Sequence, residues 1–278
     1  MHTFPKAIKW KNFELNFDRT LIMGVLNVTP DSFSDGGLYL DHKKAVSHAR
    51  KMVEEGADII DIGGESTRPG SDTVSADEEL KRIVPVIKEL ANKIKVPISV
   101  DTYKPKVASK CLELGASIVN DITALSDKGM IHAIKKFDAP VILMHMKGKP
   151  KSMQENPSYK NVTEEIKYFL ERKIILARKS GIRDVLIDPG IGFGKTLEHN
   201  LRILKDLNAF TKLKCPIVIG TSKKSFIGKL TNLPLDERLE GTIASIVIAA
   251  TNGANIVRVH NVKEGKRALL IADAIKGA

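Results

Sequence analysis

Seven polar residues follow or close short apolar runs along this chain: Asn27, Asp61, Asp101, Asn120, Asp188, Arg258 and His260. Carboxylates and amides recognise N–H donors, while arginine and histidine recognise anions. Any one of them alone reads as a helix cap or a loop hydrogen bond. Seven at the ends of six of the eight runs point to one site, because buried polar groups are costly without a purpose. Two glycine- and hydroxyl-rich stretches, 24–37 and 61–70, follow the first two runs and suit loops that close over a ligand. Plain turns would not need Asn27, Asp35 and Arg68 together. A third glycine stretch, Asp188-Pro189-Gly190-Ile191-Gly192-Phe193-Gly194-Lys195, imitates nucleotide loops. A P-loop requires glycine where Pro189 stands, and a dinucleotide fingerprint requires it at Lys195, so both templates fail.

The elements that must position these residues alternate regularly. Eight short, nearly continuous apolar runs lie at 21–27, 58–62, 98–101, 117–121, 141–145, 185–188, 217–220 and 255–259. Continuous apolarity is what strands buried on both faces show. Helical periodicity fills the intervals 41–55, 75–94, 104–114, 129–137, 163–179, 197–213, 237–252 and 264–275. Ser75 and Glu78 form a capping-box pattern, and Gly56, Gly115, Gly181 and Gly253 stand where helices end. Eight strand–helix units predict an α/β fold, a (β/α)8 TIM barrel, over 1–278 as a single domain. An open doubly wound sheet is the competing architecture. The leader 1–18 alternates Ile8, Trp10, Phe13, Leu15 and Phe17 around Lys11-Asn12, which predicts an N-terminal β-hairpin plugging one barrel end, although Trp10 also suits ordinary core. In such barrels the site lies at the carboxyl ends of the strands.

Bulk properties narrow the function classes. A chain of 278 residues can bury a core without staples. The formal charge of +11 is spread along helix faces rather than gathered in a block, and aromatics make up only 5%. Both facts argue against nucleic acid, and an anionic small-molecule substrate suits the charge better. Two isolated cysteines, Cys111 and Cys215, suit neither a disulfide framework nor a cysteine-based zinc site. No run approaches the ~20 apolar residues of a membrane span, and residues 1–18 lack the apolar core of a signal peptide. A cytoplasmic protein with no membrane partner is expected.

Taken in order, the motifs resemble those of the dihydropteroate synthases, pterin-binding enzymes. The resemblance covers the loops 24–37 and 61–70, then Ser99-Val100-Asp101-Thr102, Asn120-Asp121-Ile122 and Met144-His145-Met146 with Gly148 and Pro150. It continues through 188–195, Ser222-Lys223-Lys224-Ser225 and Arg258-Val259-His260. The resemblance implies condensation of 6-hydroxymethyl-7,8-dihydropterin diphosphate with p-aminobenzoate, giving 7,8-dihydropteroate and diphosphate in folate biosynthesis. It further implies a dissociative, carbocation-type transferase mechanism with Mg2+, and a homodimer that sulfonamides target.

Residue by residue, the resemblance assigns the pterin to Asp101, Asn120, Asp188 and Lys224. The diphosphate falls to Asn27, Arg68, Arg258 and His260, with Asn27 the metal ligand and a helix starting near Ser222 aimed inward. Phe33, Thr67, Pro69, Phe193 and Ser225 would shape the p-aminobenzoate pocket. Asp35 and Asp101 would stabilise the cation, so that Asp35, Arg68, Asp101, Lys224, Arg258 and His260 form the catalytic set. Replacing Arg258, on the rim, is expected to damage turnover far more than folding. Lys223 stands where the family usually has arginine, which keeps the charge and loses the planar fork.

Two rivals remain open. A pterin-binding corrinoid methyltransferase would need the acidic residues but not the anion site. A non-catalytic folate-binding module would explain the pocket without the diphosphate.

Overall fold

The computed structural model describes residues 5–29, 37–66, 71–148 and 151–278, with the backbone alone over 37–41. A hairpin of β1 (Ala7–Trp10) and β2 (Phe13–Asn16) opens the chain, turning at Lys11. Then follow β3 (Leu21–Asn27), α1 (Gly37–Glu54), β4 (Ile59–Gly63), α2 (Ala76–Leu90), β5 (Ile98–Asp101), α3 (Pro105–Glu113), β6 (Ile118–Asp121) and α4 (Lys128–Phe137). The second half runs β7 (Val141–Met144), α5 (Val162–Lys179), β8 (Val185–Asp188), α6 (Leu197–Lys205), β9 (Val218–Ile219), α7 (Ser225–Thr231), α8 (Leu239–Thr251), β10 (Ile256–Val259) and α9 (Val262–Gly277).

The eight strands β3 to β10 pair in parallel in the order β8-β7-β6-β5-β4-β3-β10-β9. A parallel bridge from Ile187 to Ile217, with the Ile187 N–H on the Pro216 carbonyl, joins the two ends of that order. The open sheet is thereby excluded and the barrel stands. Differences from the expected elements are local. The 197–213 helix ends at Lys205 and continues as a 3-10 turn, Leu207–Leu213. The helix expected to begin near Ser222 is the short α7, which starts at Ser225 and precedes α8. The capping box at α2 is half made. Ser75 Oγ accepts from the Glu78 N–H, but the Glu78 carboxylate turns to Arg82, whose guanidinium also donates to the Gly64 carbonyl.

The core is layered along the barrel axis. Met23, Ile59, Ile118, Ile142, Leu186, Val218 and Ile256 form an apolar floor, and the hairpin closes it from below with Ile8 and Leu15. Trp10 belongs instead to the larger cluster between strands and helices. Side chains on a strand return to the same face every second residue. Two residues above the floor therefore lie Asp61, Asn120, Met144, Asp188 and Arg258, all aimed into the barrel. No helix among the described residues is long and apolar enough to cross a membrane.

Candidate active site

The polar layer is bound together across the barrel. Arg258 on β10 donates from Nε to Asp61 Oδ2 (2.6 Å) and from a terminal nitrogen to Asp101 Oδ2 (2.7 Å). Asn120 donates to the same Asp61 oxygen at 3.2 Å. Asp61 is fully buried, and the second oxygens of Asp61 and Asp101 have no hydrogen-bond partner among the described residues. Burial pushes the Asp101 carboxyl up to about 7, Arg258 opposing and Asp61 reinforcing the shift. Burial also works against the Arg258 charge, yet Asp61 and Asp101 outweigh it and hold the guanidinium above its ordinary value. Arg258, expected to matter far more for turnover than for folding, therefore also bears on the fold. It neutralises two buried carboxylates, and a buried charge stripped of its partner is strongly destabilising.

Asp188 occupies the neighbouring sector. One of its oxygens accepts the Gly190 N–H at 2.7 Å. Burial raises its pKa, while that hydrogen bond and the charges of Lys224, Lys195 and Arg258 oppose the shift. Lys224 also acts on Asp101, and its Nζ lies 4.1 Å from the centre of the Phe193 ring. The acids and the cations thus share one mouth. Their separation to opposite ends, which would have dismissed a joint site, does not occur.

His260 lies at the same rim, where its backbone N–H donates to Ser222 Oγ and its ring Nδ1 lies 3.0 Å from that oxygen. Lys223 adopts a left-handed conformation (φ 59°), its N–H donating to Thr242 Oγ1 and its carbonyl accepting from Arg238. That turn delivers Lys224 as the residue before α7 and Ser225, exposed, as its first residue. Asn27, partly exposed, closes β3 on the inward face that begins with Met23, and it pairs in register with Gly63. Among the described residues no three His, Cys, Asp or Glu side chains gather into a metal cluster. A lone amide oxygen at the mouth fits a hard cation that keeps water and phosphate oxygens as its other ligands. Phe33, Asp35, Thr67, Arg68 and Pro69, with Pro150 of the Met144–Pro150 motif, lie outside the described residues.

Two groups carry no role in the sequence reading. Lys104 Nζ bridges Glu65, at the foot of the second loop, and Glu79 Oε2 on α2, the latter at 2.5 Å, while Tyr103 donates to Glu65 at 3.0 Å. Burial raises the Glu79 pKa and Lys104 opposes it. Its signal was present, since Glu79 shares an apolar helix stripe with Ile83, Val86, Ile87 and Leu90. The other group is the buried pair of His145 and Lys195, 3.0 Å apart.

Comparison with known proteins agrees with this geometry. The model of the family described as pterin binding enzyme matches residues 23–260. Dihydropteroate synthase of Escherichia coli (strain K12) is 48% identical over 267 residues, covering 95% of this chain and 94% of that protein. The Bacillus subtilis (strain 168) enzyme is 43% identical over 278 residues, covering 99% and 93%. A crystal structure of Yersinia pestis dihydropteroate synthase with a sulfonamide drug complex superposes with a TM-score of 0.94 at 44% identity, over 98% of this chain and 100% of that one. The Xanthomonas albilineans enzyme in complex with 7,8-dihydropteroate gives 0.87 at 39% identity, over 95% and 97%. Sequence, barrel and polar mouth together make this chain a member of the pterin-binding enzymes, among the dihydropteroate synthases.

Proposed function

We propose that the chain joins 6-hydroxymethyl-7,8-dihydropterin diphosphate to p-aminobenzoate, releasing 7,8-dihydropteroate and diphosphate. The observation that carries this reading is the meeting of Asp61, Asp101, Asn120 and Asp188 with Arg258 and Lys224 in one barrel mouth. A flat heterocycle with N–H donors on its edge fits the carboxylates and the amide, held by charge-assisted hydrogen bonds. The methylene carbon–oxygen bond breaks with its electron pair leaving on the diphosphate, and the cation that forms faces the Asp101 carboxylate. The arylamine nitrogen then forms the new carbon–nitrogen bond and sheds a proton. Preorganised charge on both sides of the breaking bond lowers the barrier.

In this reading Arg68, Arg258, His260 and Asn27 hold the diphosphate, and Asp35 adds to the stabilisation of the cation. Phe33, Thr67, Pro69, Phe193 and Ser225 line the slot for p-aminobenzoate, where sulfonamides compete. Asn27 holds a magnesium ion that supplies positive charge to the leaving group. The protein works in the cytoplasm, a setting that suits two buried, unpaired cysteines. It acts as a homodimer, a reading supported by the exposed Ile248 on α8 and Leu270, Ile271 and Ile275 on α9.

The test is to mix the protein with the pterin diphosphate, p-aminobenzoate and magnesium. Dihydropteroate and diphosphate are expected in equal amounts. Pterin binding without diphosphate release would favour the methyltransferase or the binding module and end this proposal.

A further inference from the structure

Lys195 is 3% exposed, and among the described residues no carboxylate contacts it. Its Nζ lies 3.0 Å from His145 Nδ1, 3.3 Å from the His145 carbonyl and 2.9 Å from the Phe193 carbonyl. The three donors of an ammonium group thus span two chain segments, the exit of β7 and the glycine turn after β8. Burial pushes the Lys195 ammonium well below the usual lysine range, with the Asp188 charge opposing. A charge kept in such a place needs all its donors engaged.

The glycine turn is packed directly on the segment that Lys195 grips. Gly190 and Gly194 have positive φ, and a Cβ on them would lie 2.0 Å from the His145 carbonyl oxygen and 2.2 Å from that of Lys147. Its peptide groups are tied down in turn. The Gly192 N–H donates to Asn200 Oδ1 at 2.7 Å, Gln154 donates to the Gly192 carbonyl, and the Tyr159 hydroxyl donates to the Gly194 carbonyl at 2.9 Å. One residue in this turn presents a large side chain to the mouth. The Phe193 ring packs with Ile122, Met144 and Met153 and lies beside Lys224.

We propose that Lys195 is a positioning residue, which by joining the His145 ring and carbonyl to the Phe193 carbonyl fixes Phe193 opposite Lys224 and sets the width of the arylamine slot. This rests on the reading that Phe193 lines that slot. Lysine suits the task because no neutral side chain offers three donors from one atom.

Steady-state kinetics of Lys195→Met, Phe193→Ala and the double variant provide the test, with calorimetric binding of the pterin diphosphate alone. Lys195→Met is expected to raise KM for p-aminobenzoate about tenfold, the scale of losing charge-assisted hydrogen bonds, with pterin diphosphate affinity within about twofold of wild type. The double variant should have a KM no higher than the worse single variant, since both changes act through one ring. An unchanged KM in Lys195→Met, while Phe193→Ala raises it, overturns the positioning role and leaves the slot reading intact. An unchanged KM in Phe193→Ala overturns both. Loss of pterin affinity equal to the rise in KM also overturns the proposal, because Lys195 then acts through the charge of Asp188. Should Lys195→Met fail to fold, Tyr159→Phe removes the parallel tether on Gly194. A rise in KM of about threefold is expected there, and no rise refutes the role.

Discussion

Arg258 and Asp61 stand 197 residues apart in the chain, yet the arginine Nε lies 2.6 Å from the buried aspartate. Closure of the barrel makes them neighbours, since β10 pairs with β3 and β3 with β4. The same guanidinium reaches Asp101 on β5, so three strands are tied at the level of the polar layer.

Arg258→Lys keeps the charge but loses the fork that serves both carboxylates. A lysine ammonium can bridge two carboxylates, as Lys104 does, but it lacks the fixed separation of Nε and the terminal nitrogen that serves Asp61 and Asp101 here. We expect a loss of about 3 kcal/mol in unfolding free energy, together with a fall in kcat of about a hundredfold. Urea unfolding and steady-state kinetics read the two effects separately. Unfolding at the wild-type urea midpoint would show that Asp61 and Asp101 do not depend on Arg258.

Asp101 gives the reaction an acid limb. Its carboxyl is raised to about 7, and under the proposed function the ionised form is the one that would face the developing cation. As pH falls through 7 the ionised fraction drops, so kcat/KM should decline tenfold per pH unit below that point. Asp101→Asn should abolish the limb and leave a low, flat profile. A wild-type profile flat from pH 5 to 8 would remove Asp101 from this role.

His145 bears on stability with a definite sign. Burial, aided by Lys195 and Lys147, pushes its pKa down to about 2, and its ring lies 4.9 Å from Phe169. A depressed histidine binds its proton in the unfolded chain first, at about 6.5. Its contribution is complete above that value and is lost as pH falls toward 2. Asp101 works oppositely, because its raised folded value makes the folded state hold the proton between about 4 and 7. Comparing wild type with His145→Gln isolates the histidine. On acidification below pH 6 the difference should move in favour of the variant by about 1.4 kcal/mol per pH unit. Parallel stability curves would mean that His145 protonates without hindrance in the folded protein.

Lys104 supports the second loop from beneath. Lys104→Met leaves Glu65 and Glu79 buried beside each other without their shared cation. A destabilisation of about 3 kcal/mol is expected, and Glu79→Gln in the same chain should recover part of it. Denaturant midpoints of the single and double variants decide the matter. No recovery in the double variant would show that the cost lies in packing rather than charge.

The apolar exposure on α8 and α9 predicts association. Ile271→Lys with Ile275→Lys should convert a dimer to a monomer in sedimentation velocity, because both side chains lie more than half exposed in the single chain. A wild-type monomer at micromolar concentration would dismiss the homodimer.

The amino-acid sequence by itself determined the eight strand–helix units, because continuous apolar runs and helical periodicity are local signals. It also determined which residues share the inward polar layer. The two-residue alternation sets Asp61, Asn120, Asp188 and Arg258 above Ile59, Ile118, Leu186 and Ile256, and that offset is fixed along each strand. Only the tertiary structure decided which residues touch. Arg258 could be seen as a rim cation, but its partners Asp61 and Asp101 follow from strand order and closure, which no local pattern encodes. The Lys195 grip on His145 and Phe193, and the bridge from Lys104 to Glu65 and Glu79, join residues on different strand–helix units. A lysine looks alike in sequence whether it is solvated or buried, and its surroundings become definite only when packing removes the water around it.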